Sequence, residues 1–584
     1  MVTFLSPQVA VRELETKVRN IRAVSTSTAA FLGLAVSGPI AKSIPLSSFD
    51  DFVRIFGGPM TDAMLYWAVK GFYENCGEGS LCYAVRTAHY TTISNPATLT
   101  AVAATINLKD TLNVVNTLKV EASSPGTWGN TIQVTTQLAS RFATNTTAAV
   151  NNGSTSVGLV STAGVRVGTV LHLNDGTDST VVVVTKIENL TIFFAAVSGL
   201  AAAVDSGADA FERSFNLIVS KAGVEIERHE YLSMEDTNAA DYVEARINPL
   251  ADTEQSTIRV TDLDTTNGPS VDRPLAVTLS YLSGGNDGLT GLTDGDFVGN
   301  SAAQNGLYAF EDVETINMIG IPEAQTQVVQ IGIIDYCETR KYPLGILSSP
   351  LGLDVTGIIN YVNNTLAANT SRSAMYYPQL KVFDPDIDNT RIVPCDGHVA
   401  GIYARVDQNI GIQQVGAGEL GQIRGIIGFE NDLSRKKGLR DLLYPNNVNS
   451  LLLNSSLGRC IFGSRTLSRS GGIGSQIAER RVFSFVEETL ERNMQWVLFK
   501  ANTPDLRRSV DLTTTAFLGV LRQEGVIEDF YVDVGTGLNN ALVRSQGKLV
   551  MAVGIKAFDT IEFFDIQVSK DTRAQEAAIA ELAS

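Results

Sequence analysis

Gly416, Gly418 and Gly421 fall at the spacing G-x-G-x-x-G. In a dinucleotide-binding protein that spacing turns a strand into a helix and sets the pyrophosphate on the helix N-terminus. The flanks here read D-Q-N-I-G-I-Q-Q-V and Q-I-R-G-I-I-G, a poor helix, so a plain glycine loop is expected. His229-Glu230 begins like a zinc-protease helix, but no second His follows at ligand spacing. His398 lies near Cys395, and a lone His beside a lone Cys is more often structural than a metal site. The chain has four His in all and neither G-x-S-x-G nor G-x-x-x-x-G-K-[ST], so nucleophile-elbow and P-loop chemistry lack their frame. Carboxylates are plentiful without a pair that stands out for acid–base work. Arg480 and Arg481 open a helix, where the dipole disfavours cations, and are expected to meet an acidic partner in this chain or a neighbour. No catalytic, cofactor or metal residue is expected, and no enzyme.

The bulk properties point the same way. The 584 residues carry a net charge of -17 with 44% hydrophobic and 18% charged residues, a globular balance with material for several cores. The acidity offers no footprint for nucleic acid. No apolar run approaches the ~20 residues of a membrane span, and the N-terminus lacks the plan of a signal peptide. The five cysteines read as reduced, mostly buried thiols of a protein made in a cytoplasm.

The elements that would position any site follow a clear order. Thr28–Ala35 reads as a buried strand, and F-D-D-F-V-R-I-F as a short helix capped by Ser48 and stopped by Gly57-Gly58. A second helix, capped by Thr61, runs to about Glu74, and S-L-C-Y-A-V-R is a strand. From about 97 to 285 Thr, Val, Ala, Asn and Gly dominate. Strands are expected at Thr131–Leu138, Val167–Leu173, Val181–Ile187, Phe215–Ser220 and Glu225–Leu232. One helix, Thr237–Ile247 behind Asp236, interrupts them. Ser283–Gly299 is a glycine-rich boundary.

Beyond Thr315, strands and helices alternate: T-I-N-M-I-G-I, helix Gln325–Lys341, L-G-I-L-S-S, helix Val355–Leu366, then S-A-M-Y-Y. That spacing predicts parallel pairing through right-handed crossovers. A short helix over Gly397–Val406 and a loop over Gln408–Arg435 follow. Late helices are expected at Ile477–Lys500 and Pro504–Arg522. The first has Val482, Val486, Leu490, Met494 and Val497 on one face, with Glu487, Glu488, Glu491 and Arg492 turned largely away. V-I-E-D-F-Y-V-D-V and K-L-V-M-A-V-G-I return as strands, and D-T-I-E-F-F-D-I-Q-V-S alternates as one more strand near the C-terminus.

The fold class expected is an α/β core, a mixed sheet with flanking helices formed by both ends of the chain, with inserted β-rich domains in the middle. The divisions are 1–25, an arm or a frayed terminus; core at 26–96; insertion at 97–300 with a small barrel-like part near 140–210; core again at 301–558; and 559–584, whose strand is either the last of its own sheet or an arm to another chain. The arms differ in charge: residues 1–25 hold four basic and two acidic side chains, and residues 556–584 three and six.

Short pieces spread in order along nearly the full length resemble the contractile tail sheath proteins of phage tails and related injection machines. They include S-P-Q-V-A-V-R-E, S-T-A-A-F-L-G-L-A-V-S-G-P-I, F-V-R-I-F-G-G, C-Y-A-V-R, G-T-W-G-N, S-G-G-N-D-G, S-A-M-Y-Y-P, F-G-S-R-T-L and E-R-R-V. The chain departs from the family at V-P-C-D-G, where two prolines and a small residue are usual, and in its barrel-like insertion.

The resemblance implies stacked rings of subunits in a helical sheath around an inner tail tube, with baseplate and tail terminator proteins as further partners. It also implies terminal arms that add strands to neighbouring chains, with Val9, Val11, Phe564, Ile566 and Val568 as candidates. Glu487, Glu488, Glu491 and Arg492 are candidates for facing the tube. The sheath would assemble in a host cytoplasm, become part of the virion, and contract to drive the tube through a target envelope. The rival readings are a non-contractile surface or adhesion protein, which would need an export signal, and a nucleotide-binding α/β enzyme resting on residues 315–425.

Overall fold

The computed structural model describes residues 19–234, 237, 241–252, 255–263, 273–434, 436–563 and 566. Of the expected arm residues, Val9, Val11, Phe564 and Val568 lie outside the described residues, as does Asp236.

An eight-stranded mixed sheet forms the centre. Its order is Ile44–Leu46, Cys82–Arg86, Ala29–Gly33, Met318–Gly320, Leu344–Ser348, Ser373–Tyr377, Val448–Asn454, Gly458–Phe462. Pairing is parallel through the middle and antiparallel at both margins. Ala29–Gly33, Leu344–Ser348 and Ser373–Tyr377 are buried at every position, which is why they read as unbroken apolar runs rather than alternating ones. Ala29 and Phe31 enter one apolar layer with helices Phe49–Phe56, Leu65–Asn75 and Asp396–Asn409. Ala30 and Leu32 enter the opposite layer with helices Gln327–Arg340 and Val355–Asn360.

Local chemistry sets several of these elements as expected. Ser48 accepts the Asp51 amide to start Phe49–Phe56, and Gly57, at φ 85°, ends it. The second helix starts later than Thr61 suggested, at Leu65, with no side-chain cap of its own. Glu323, just beyond the neighbouring strand Met318–Gly320, supplies one: its Oε1 accepts the amides of Leu34, Met64 and Leu65 at 2.9, 2.8 and 2.9 Å. Helices Leu65–Asn75 and Asp396–Asn409 approach closely because glycines line their contact. A Cβ on Gly397 would lie 1.8 Å from the Ala68 carbonyl oxygen, and one on Gly401 2.5 Å from that of Phe72.

The β-rich middle has two cores. Ile132–Ala139, Ser214–Lys221 and Val224–Leu232 form a sheet with Ser280–Tyr281. It shares apolar residues with the sheet Thr105–Lys109, Asn116–Ala122 and Ile258–Asp262. The helix expected at Thr237–Ile247 lies instead at Val243–Asp252. Within residues 143–212, two smaller sheets close around Val150, Leu171, Leu173, Ile192 and Ala210. At the root of the middle region, buried Arg86 donates to the carbonyls of Gly38 and Pro125 at 3.0 and 2.6 Å and lies 3.6 Å from Asp287.

The strands expected over 526–534 and 548–555 do not join the central sheet. Asp529–Asp533 and Ala552–Lys556 pair with each other alone, antiparallel. They pack on helices Ile477–Asn493 and Pro504–Gln523, and Ile21 and Val24 complete that core. The first of these helices ends at Asn493, followed by a single turn at Gln495–Val497. All five cysteines are free, four of them buried.

Candidate interaction surfaces

Gly416 to Gly421 is a loop whose backbone bonds run to the edge strand Gly458–Phe462, with Gly418 N–H donating to the Ile461 carbonyl at 2.8 Å. His229 lies on strand Val224–Leu232 and contacts Glu227 at 3.2 Å. His398 is fully buried against Gly71, and burial pushes its imidazole down to about 4. Among the described residues no group of three or more His, Cys, Asp or Glu has metal-binding geometry, and no helix is long and apolar enough to cross a membrane.

Arg480 and Arg481 find their acidic partners in this chain. Arg480 donates to Glu487 at 2.9 Å. Arg481 is fully buried and donates to both oxygens of Asp407, at 2.8 and 2.5 Å, and to the Thr26 carbonyl at 3.1 Å.

The charged face expected on Ile477–Asn493 is split. Glu487 and Glu491 are exposed, and Glu487 also lies 3.6 Å from Arg372. Glu488 points inward and is 1% exposed, held by Arg492 at 2.5 Å. Burial, only partly offset by Arg492, pushes its carboxyl up to about 6. Arg492 also donates to the Glu314 carbonyl. The apolar stripe forecast Val482, Val486 and Leu490 as buried, but the 3.6 period alone left Glu488 outside. The i,i+4 spacing of Glu488 and Arg492 marks the pair locally, but not that packing would enclose the carboxylate.

The first described residues lie across the late helices. Arg22 N–H donates to Asn493 Oδ1 at 3.1 Å, and Asn493 Nδ2 returns a bond to the Arg22 carbonyl at 2.9 Å. The Arg19 guanidinium sits 4.7 Å above the Trp496 ring. The root of the N-terminal segment is thereby tied to the same core that carries the two-stranded sheet.

That sheet has one strand on each side and, among the described residues, no third. Phe530, Val532, Val553 and Ile555 pack on the helix core, while Tyr531 is 62% exposed. Buried Asn539 closes the long connection, donating to the Val534 and Val550 carbonyls at 3.1 and 2.8 Å and accepting the Val550 amide at 2.8 Å. Among the described residues both outer edges present backbone groups without strand partners, a template for strand addition.

The last described residues run from this sheet to the margin of the central one. Glu562 is fixed there by Arg465, which donates at 2.7 and 3.3 Å, by the Tyr444 hydroxyl at 2.8 Å and by Gln476 Nε2 at 3.1 Å. Burial raises the carboxyl, but the bonds from Arg465 and Tyr444 outweigh it and hold Glu562 below its usual range. Ile561 and Phe563 on either side are 83% and 81% exposed, and Ile566 is 68% exposed. Residues 561–563 and 566 carry no strand, so the described part of the expected C-terminal strand is unpaired. The Glu562 anchor was missed in the sequence. Its one local signal is a lone carboxylate set between apolar neighbours, and its partners lie 86 to 118 residues away.

Residues 475–569 match the family model for the phage tail sheath C-terminal domain. The chain is 27% identical over 199 residues to a tail sheath protein of Vibrio phage KVP40, covering 34% of this chain and 29% of that relative. It is 25% identical over 210 residues to a putative prophage major tail sheath protein of Pseudomonas aeruginosa strain UCBPP-PA14, covering 35% and 52%. The matched stretches thus span about half or less of these curated relatives. In fold, the chain resembles the helical sheath of the anti-feeding prophage in its contracted state, with TM-score 0.50, 14% identity, and coverage of 98% and 100%. It also resembles a sheath tail protein of Listeria innocua, with TM-score 0.51, 11% identity, and coverage of 89% and 90%. At those identities the structural likeness speaks to fold alone.

Proposed function

Proceeding from a chain that resembles contractile tail sheath proteins and matches their C-terminal domain at residues 475–569, we propose that it is a structural, non-enzymatic sheath subunit. Copies polymerise helically around an inner tube, on a baseplate and beneath a terminator. Contraction of the polymer drives the tube through a target envelope.

One observation carries this reading: the two-stranded sheet Asp529–Asp533 and Ala552–Lys556, whose outer edges lack strand partners among the described residues. The terminal arms supply the missing strands from neighbouring copies, including the segments that hold Val9 and Val11 and that hold Phe564, Ile566 and Val568. A head-to-tail contact whose rotation does not close gives a helical polymer rather than a ring. Each added cross-strand pair is worth only roughly 0.2–1 kcal/mol, so one arm is a soft hinge while the whole mesh is strong. The mixed-sheet core moves as a rigid body on such hinges. The extended sheath is a metastable state released by a signal from the baseplate. On the tube side, Glu491 is the exposed candidate without an ion pair among the described residues; Glu487 is exposed but paired with Arg480 and Arg372, and Glu488 and Arg492 are engaged with each other.

Electron microscopy of the purified protein tests the reading. Hollow, striated tubes of fixed width are expected, and persistent monomers would overturn it. Truncation at Asp559 is expected to leave a folded core that forms no ordered polymer.

A further inference from the structure

A groove of about 760 Å³ opens beside the anchored Glu562. Its floor is apolar, from Val415, Ala417 and Phe462, and Ile561 and Phe563 stand on its wall. Its rim is the helix Lys437–Leu443, where Lys437 and Arg440 are three residues apart and so share one side. Neither cation has a salt-bridge partner among the described residues, and Asp441 is the one acidic residue beside them on that helix. Tyr444 closes the end nearest Glu562. An occupant suited to this groove is a short segment with an apolar stripe and acidic flanks.

The chain carries such a segment just beyond the groove. Residues 574–582 read A-Q-E-A-A-I-A-E-L, nearly all strong helix formers. At helical spacing Ala578, Ile579 and Leu582 make one apolar stripe, and Glu576 and Glu581 fall on its two sides. Glu562 fixes the start of the path at the groove wall. The eight residues from Ile566 to Ala574 reach up to about 26 Å, ample to turn back into the groove. A tethered segment also competes at an effective concentration in the millimolar range.

We propose that in the unassembled chain this groove is the seat of the chain's own residues 574–582, with Glu581, on one flank of the stripe, facing Lys437 and Arg440. The C-terminal segment is then parked on its own subunit before assembly, with Glu562 as the fixed root from which it later departs.

The test uses the full-length chain, kept dilute, with a photo-crosslinking phenylalanine derivative in place of Leu582. A crosslink to residues 437–463 within a species of monomer mass is expected. Crosslinks joining two chains, crosslinks to another surface, or none would overturn the proposal. Lys437→Glu with Arg440→Glu should lower the crosslink yield on the order of tenfold, as expected for losing two exposed ion pairs. Adding Glu581→Lys should restore it. A charge-reversed chain that crosslinks like the parent is a negative result for the proposal. These readouts concern the monomer, so they stand or fall independently of whether the protein forms a sheath.

Discussion

Arg481, on helix Ile477–Asn493, and Asp407, on helix Asp396–Asn409, form a two-pronged ion pair in which both side chains are at most 5% exposed. The same guanidinium holds the Thr26 carbonyl and lies 5.0 Å from the Tyr403 ring. One side chain thus joins the N-terminal entry, the central α/β layer and the late helical core. Burial alone would depress the Arg481 guanidinium, and Asp407 reverses that and keeps it charged.

Breaking this pair from one side leaves a buried charge without its partner. Arg481→Met should cost about 3–5 kcal/mol, read as a drop in the urea midpoint. The double variant Asp407→Leu, Arg481→Met should recover much of the loss, because neither charge then remains. Equal losses in the single and double variants would mean that the geometry of the joint matters more than its charge.

Glu323 caps the helix Leu65–Asn75 from about 260 residues away in sequence. Glu323→Ala leaves three amides without their acceptor and should cost about 1–3 kcal/mol or more. Glu323→Gln keeps a carbonyl acceptor and should lose much less. Thermal melts of the two variants separate these outcomes.

Asp396 is fully buried beside Ser348, whose hydroxyl donates to it. Burial pushes its carboxyl up to about 7, although the Ser348 bond works the other way. A raised carboxyl contributes stability that is complete below its unfolded value near ~4 and is lost as pH rises through about 7. Asp396→Asn mimics the protonated form. Its melting temperature should therefore fall less than that of the parent between pH 5 and pH 8.

Glu491 is exposed on the same helix that buries Glu488. Glu491→Lys should leave stability within about 0.5 kcal/mol yet weaken assembly on the tube, measured as sheath length per tube by electron microscopy. Glu488→Lys should instead destabilise the monomer. If Glu491→Lys assembles like the parent, this position does not face the tube.

Much of the fold was legible in local pattern. The buried strands at 29–33, 344–348 and 373–377, the Ser48 cap and the late helices from Ile477 and Pro504 all appear where periodicity placed them. The order of motifs along the chain also carried the resemblance to sheath proteins. These signals are local, set by side-chain period and by caps within four residues.

What the sequence by itself determined, then, is where most of the buried strands and amphipathic helices of the core lie, within a few residues, and which family they resemble; the margin strands Val448–Asn454 and Gly458–Phe462 were not read from it. Tertiary structure alone decided the partners: that Glu323 caps a distant helix, that Arg481 meets Asp407, that Glu562 is held by Arg465 and Tyr444, and that the last two strands leave the central sheet to pair with each other. The physical reason is that hydrogen bonds and ion pairs between distant segments leave no periodic trace in sequence. A buried carboxylate and a solvated one are the same letter until the chain has folded around them.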